Sequence, residues 1–179
     1  MKKITYFVFL FFIFGSCTNS KKTTTFIQNA YQKTIYYNTN DTKNAIKEYN
    51  QAIVLDKKNA FLYFLRGRSY SIIGKPHKAR KDFSKAIYLY NENQSNENRK
   101  IDPNYTLSEI YLQRGLTWSD FRSRDFNKGN KDFSKAIAID HTLKKAYLLR
   151  AFGKMELKEY QSAINDFHKI IQLDKYNHY

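Results

Sequence analysis

Cysteine is almost absent from this chain of 179 residues: Cys17 stands alone, so no internal disulfide can form. Proline, with 2 residues, and glycine, with 6, are sparse, which disfavours a fold built on many tight turns such as a β-sandwich. Acidic residues are outnumbered, 16 Asp and Glu against 31 Lys and Arg, giving a formal charge of +15. Such an excess admits nucleic acid, anionic lipid or an acidic protein surface as partners and says nothing about fold. His77, His141, His168 and His178 never pair at i, i+3 or i+4, and no second cysteine supplies zinc spacing. No Gly-rich phosphate loop, nucleophile elbow or HExxH motif is present. No catalytic or metal-binding residue, no cofactor and no enzymatic role are therefore assigned. What the chain does have is apolar and aromatic content, 42% and 17%, which is enough for a packed core.

Lys2 and Lys3 precede an apolar stretch from Ile4 to Phe14, and Gly15-Ser16-Cys17 follow. A basic start, a short apolar stretch and small residues before a cut site describe a secretory signal, too short to span a bilayer. Phe14-Gly15-Ser16-Cys17 resembles the lipobox of bacterial lipoproteins, with Phe14 where that family usually has an aliphatic residue. The resemblance implies removal of residues 1–16 as a signal peptide and acylation of Cys17. The chain would then be lipid-anchored in the cell envelope, facing the periplasm, with inner or outer membrane left open. An ordinary signal peptide with an incidental cysteine is the other reading. Thr18 to Thr25 are all polar, so residues 17–25 read as the lipidated Cys and a tether.

Self-similarity dominates the rest. Lys81-Asp82-Phe83-Ser84-Lys85-Ala86-Ile87 recurs letter for letter from Lys131 to Ile137, with looser copies at Lys47–Ile53 and Asn165–Ile171. Tyr49 to Phe83 is 34 residues and Phe133 to Phe167 is 34 again, with 50 between the inner pair. Upstream of the last three copies, Tyr63, Tyr111 and Tyr147 are each followed four places on by Gly67, Gly115 and Ala151. The pattern resembles the tetratricopeptide repeat, a helix–turn–helix unit of 34 residues. Tyr70 and Trp118 match its later aromatic, and Lys154 departs from it.

The resemblance implies an all-α fold, a right-handed superhelical stack of about four hairpins over residues 26–177. Repeats are expected at about 26–59, 60–93, 105–143 and 144–177, with a polar insertion at 91–104. Asp102-Pro103 is expected to cap the helix that follows. Two extra residues between Gly115 and Gly129 imply a longer first helix or turn in the third hairpin. Arg66, Arg114 and Arg150 are each followed, after 16, 18 and 16 residues, by Asp82, Asp132 and Asp166, the spacing of an ion pair across a hairpin.

The family binds protein segments along the surface made by its first helices. Carried over, that groove would be lined by Phe61, Phe64, Arg68, Leu112, Leu116, Leu148 and Phe152, some of them shared with inter-repeat core. One variety grips a peptide's terminal carboxylate with lysines; Phe64 and Leu148 stand at those sites, so that clamp is not implied. At the far end Ile164, Ile171 and Leu173 have no following repeat to pack against and form a candidate contact surface, with Tyr176 and Tyr179 at its rim. The expected function is a membrane-anchored scaffold or adaptor for a protein partner, with self-association possible and nucleic acid disfavoured by the export signal. The alternative uses Lys75, Lys78, Arg80, Lys81, Lys85, Arg122, Arg124, Lys128, Lys131 and Lys135 as a basic face for envelope polyanions or anionic lipid.

Overall fold

The computed structural model describes residues 21–31, 39–93, 102 and 105–175. These form eight helices and, among the described residues, no strand: α1 over 21–31, α2 Thr39–Leu55, α3 Ala60–Ile72, α4 Pro76–Asn93, α5 Leu107–Ser119, α6 Phe126–Ile139, α7 Lys144–Glu156 and α8 Tyr160–Lys175. Helix starts follow local chemistry. Asn59, Thr106 and Asp125 each accept a hydrogen bond from a backbone N–H of the first turn, at Phe61, Glu109 and Lys128. Gly74, at φ 68°, makes the left-handed turn between α3 and α4 without a Cβ penalty.

From α2 onward consecutive helices pack against each other, and α3 also touches α5, as α5 touches α7. Four hairpins therefore stack with their first helices on one side. The second and third hairpins close by setting an aromatic ring of the second helix against a glycine of the first. A Cβ built on Gly67 would lie 2.8 Å from Phe83 Cε1, and one on Gly115 only 2.5 Å from Phe133 Cε1. Both rings are fully buried.

The arginine–aspartate spacings are ion pairs, and they do more than close a hairpin. Arg66 Nε and Nη2 donate to the two carboxylate oxygens of Asp82, both at 2.7 Å. Arg114 does the same to Asp132 (2.8 and 2.7 Å) and Arg150 to Asp166 (2.9 and 2.6 Å). The remaining Nη1 reaches back one repeat, to Asn50 Oδ1 (2.7 Å), Ser84 Oγ (3.0 Å) and Ser134 Oγ (2.9 Å) respectively. Each of those acceptors directly follows the packing aromatic of the previous hairpin. Every arginine thus ties three helices with a planar fork that lysine cannot reproduce.

Three expectations need correction, and one open alternative is decided. The tether does not run to residue 25: residues 21–25 are already helical and Thr23 is buried, because Thr23, Ile27 and Ala30 fall on one face. The insertion begins later than 91, since α4 continues to Asn93. Asp102 does not cap α5, which Thr106 caps; its carbonyl instead accepts from Tyr105 N–H at 3.0 Å, turning the chain before the helix. Pro103 lies outside the described residues. The extra length of the third hairpin is in its turn, because α5 and α3 both have 13 residues while residues 120–125 separate α5 from α6.

Candidate protein-binding face

The inner side of the stack is built from equivalent positions on successive first helices. Phe61 corresponds to Glu109 and Lys145, Phe64 to Leu112 and Leu148, and Arg68 to Leu116 and Phe152. The structure does not leave these sites equally open. Phe61, Phe64 and Leu112 are fully buried and cannot line an open groove. Leu112 belongs to the core shared with α6 and α7. Phe61 and Phe64 are covered by Tyr105, whose ring centre lies 4.7 and 5.4 Å from theirs, with Tyr90 at 5.5 Å closing the other side. Burial pushes the Tyr105 hydroxyl far above the ordinary tyrosine range.

Arg68 is also taken. Its Nη1 donates to Asp102 Oδ2 at 2.9 Å, and the Asp102 side chain is only 1% exposed. Tyr31 of α1 hydrogen-bonds into the same pair; burial first, then the Asp102 charge, raises its hydroxyl pKa against the opposing pull of Arg68. The neighbouring Glu109 accepts from Gln113 Nε2 at 2.7 Å, and burial holds its carboxyl above the usual range. The end of the insertion therefore lies against α3 and satisfies its cation and its aromatic rings. Sequence composition gave no hint of this, because Asp102 and Tyr105 sit at the edge of an otherwise polar stretch.

Of these corresponding inner positions, those on α7 are the most exposed among the described residues. Leu148 is 38% and Phe152 50% exposed, the Phe152 ring leaning edge-on against Phe167. Ile164 and Ile171 are exposed too, as expected, and Met155 and Tyr160 join them. Six of the ten exposed large hydrophobics among the described residues thus come from α7 and α8, which sets this end apart. Leu173 does not belong with them. It is half-buried against the α6–α7 core, because it shares the inward stripe of Ala163, Asp166 and Ile170, whereas Ile164 and Ile171 lie two turns apart on the outer face. Leu116 is likewise half-buried, and Cys17, Tyr176 and Tyr179 lie outside the described residues.

Of the ten basic residues proposed as an outer face, nine are exposed and Arg80 is buried. Arg80 donates to Thr117 O (2.6 Å) and Ser123 Oγ (2.9 Å) and lies 4.3 Å from the centre of the Trp118 ring. Lys128 covers the same ring at 4.7 Å and pairs with Asp125. Among the described residues no cluster of His, Cys, Asp and Glu is placed to hold a metal, and no helix is long and apolar enough to cross a membrane.

Residues 34–72 match the family described as TPR repeat, and residues 62–93 the one described as Tetratricopeptide repeat. Residues 34–93 carry tetratricopeptide repeats. Human DnaJ homolog subfamily C member 7 is 36% identical over 77 residues, covering 42% of this chain and 15% of that protein. RNA polymerase II-associated protein 3 of Xenopus tropicalis is 35% identical over 57 residues, covering 32% and 9%. The chain thus spans a small part of these relatives' length. Among solved structures, the MamA RS-1 ArsTM double mutant superimposes with a TM-score of 0.69 at 14% identity, covering 89% of this chain and 76% of that one. The Arabidopsis OM64 TPR domain gives 0.62 at 18% identity, covering 77% and 98%. The second TPR of Spaghetti (RPAP3) bound to the HSP90 peptide SRMEEVD gives 0.52 at 19% identity, covering 65% and 94%. At these identities the likeness is one of fold. Tetratricopeptide-repeat proteins are protein-interaction scaffolds, and a protein-binding role is the reading the repeats support.

Proposed function

We propose that this chain is a lipid-anchored scaffold of a bacterial cell envelope, holding a protein partner on its last hairpin. The observation that carries the binding half is the concentration of exposed apolar side chains on α7 and α8, while Asp102 and Tyr105 close the inner face of α3. The exposed Leu148, Phe152, Ile164 and Ile171 of these two helices suit an apolar or amphipathic segment, which would lay its apolar face there. The RPAP3 repeats of similar fold are bound to a short peptide, which is the kind of ligand we have in mind. An acidic tail gripped by its terminal carboxylate is not, since Phe64 is buried and Leu148 is apolar at the two lysine sites of that clamp.

The anchoring half rests on Phe14-Gly15-Ser16-Cys17 and the basic, apolar residues before it. Cys17→Ser tests it. The variant is expected to accumulate at precursor size, to incorporate no labelled fatty acid and to be released by a high-salt wash of membranes. A serine variant of mature size that stays with washed membranes refutes the lipid anchor and leaves the binding surface standing.

A further inference from the structure

Each second helix offers the next first helix the same stripe of side chains. Its central member directly follows the packing aromatic, and the other two stand four residues before and three after, so all share one helix face. On α2 the stripe is Ile46, Asn50 and Ile53. On α4 it is Arg80, Ser84 and Ile87, and on α6 Asn130, Ser134 and Ile137. Contacts fix its direction. Arg80 donates to the Thr117 carbonyl of α5, and Asn130 lies against Gly153 of α7. Asn50, Ser84 and Ser134 each accept from the arginine of the next first helix. Ile137 shares a core with Ala146 and Tyr147 of α7.

On α8 the same positions hold Ile164, His168 and Ile171, and all three are exposed. Ile46, Ile87 and Ile137 are each 8% exposed, whereas Ile164 is 44% and Ile171 53%. The first helices repeat the contrast: Phe64 and Leu112 are fully buried, and Leu148 at the equivalent position of α7 is exposed. A stripe that seats a helix three times in this stack therefore stands open a fourth time among the described residues. The helices seated so far have a shared feature. Each presents a tyrosine and, three residues on, the arginine that bonds the stripe's centre, with the guanidinium 5.5 Å (Arg66 on Tyr63, Arg114 on Tyr111) or 5.6 Å (Arg150 on Tyr147) from the ring centre. A neutral imidazole at the centre of the α8 stripe can accept from such an arginine as the amide and hydroxyl oxygens do.

We propose that Ile164, His168 and Ile171 seat a helix of a partner protein, one that carries Tyr-x-x-Arg and takes the place of a fifth first helix. Its apolar side covers Ile164, Ile171 and Leu148. Its arginine donates to a ring nitrogen of His168, as Arg66 Nη1 donates to Asn50 Oδ1 at 2.7 Å. The occupant is a helix because the stripe recurs at helical spacing and its three described counterparts each receive one. The inference rests on the reading of the last hairpin as a binding surface, and it deepens that reading by giving the partner segment a secondary structure, a register and one polar contact.

The test uses the full chain in detergent micelles and an acetylated, amidated peptide of the α3 sequence, Ala60–Ile72. This helix is chosen because α2 offers it the stripe most like that of α8, isoleucine at both ends with a polar centre. The peptide is expected to bind and to become helical on binding, read from the NMR shifts of labelled peptide. Ile171→Lys, at an exposed site that leaves the fold intact, should weaken binding at least about tenfold by removing apolar burial. His168→Lys removes the acceptor and repels the arginine, and should weaken it at least about fivefold, whereas His168→Asn copies Asn50 and should not. A peptide carrying Arg66→Ala should bind the wild-type chain more weakly and be indifferent to His168→Lys. The proposal is overturned if the α3 peptide does not bind, binds without becoming helical, or binds undiminished to the Ile171→Lys or His168→Lys chain. A full chain that is dimeric and turns monomeric with Ile171→Lys would seat a second copy on the stripe and overturn it too. Crosslinking of a partner from Leu148 and Phe152 in membranes can survive each of these failures, so the binding hairpin stands or falls separately from the helix.

Discussion

Gly67→Ala adds one methyl group at the closest crossing of α3 and α4. Its Cβ would lie 2.8 Å from Phe83 Cε1 and 2.9 Å from Cδ1, where ordinary contact begins at 3.4 Å, so the ring must retreat by roughly half an ångström or more. Phe83 is fully buried and packed at 6.2 Å ring to ring against Phe64, which leaves it no free direction. Overpacking of this kind costs about 1–3 kcal/mol, against which replacing a mid-helix glycine by alanine returns about 0.5–1 kcal/mol. The net expectation is a loss of about 0.5–2 kcal/mol, or a melting temperature lowered by about 2–6 °C for a body of this size. Thermal unfolding by circular dichroism should show the loss, and Phe83→Leu should cost less in the alanine background than in the wild type, by at least about 0.5 kcal/mol. A Gly67→Ala protein more stable than wild type would mean the crossing is looser than its geometry, and the reasoning fails.

Three further outcomes follow from the same packing. Arg114→Met strands the 4%-exposed Asp132 and releases Ser84, and should cost about 3–5 kcal/mol in denaturant unfolding, far more than an exposed ion pair is worth. Burial alone would raise the Asp166 carboxyl, but Arg150 and Lys154 hold it below the ordinary aspartate range. Its stabilisation is therefore full above the unfolded pKa and lost as pH falls through the folded one, so the gap in melting temperature between wild type and Asp166→Asn should be flat from about pH 7 to 5 and shrink below about pH 4. A gap that widens in acid contradicts the ion pair. Gly74→Ala, forced to hold φ 68° beside the Arg122 guanidinium, should lose roughly 1 kcal/mol or more by the same unfolding assay rather than behave as a neutral turn change.

The helical stack was legible because its evidence is periodic: each hairpin needs a large residue facing a small one, and a 34-residue repeat writes that need again and again. The arginine–aspartate pairs were legible for the same reason, and their third hydrogen bond was not, because Asn50, Ser84 and Ser134 look like any polar surface residue. Reading the inner face failed at Phe61, Phe64 and Leu112, where the position that binds ligand in an open groove is also the position the next element covers. The insertion failed for a different cause. Its polar average hid one carboxylate and one ring that bury because Arg68 and the α3 aromatics supply their partners, a pairing across 34 residues in the case of Arg68 and Asp102 that no local pattern carries. The clue on offer was Arg68 itself, a cation on the inner face with no acid at the spacing the other arginines use.

Site-specific photo-crosslinking in native membranes tests the central claim most directly. A benzophenone amino acid placed at Leu148, Phe152 or Ile171 on the last hairpin, and as controls at Val54 and Ile139, samples apolar exposure at both kinds of place. The account predicts the same discrete protein adduct from the three sites on α7 and α8, unchanged by high salt, and none from the two controls. Adducts of equal strength at Val54 and Ile139, or none at any site on the last hairpin, would contradict it.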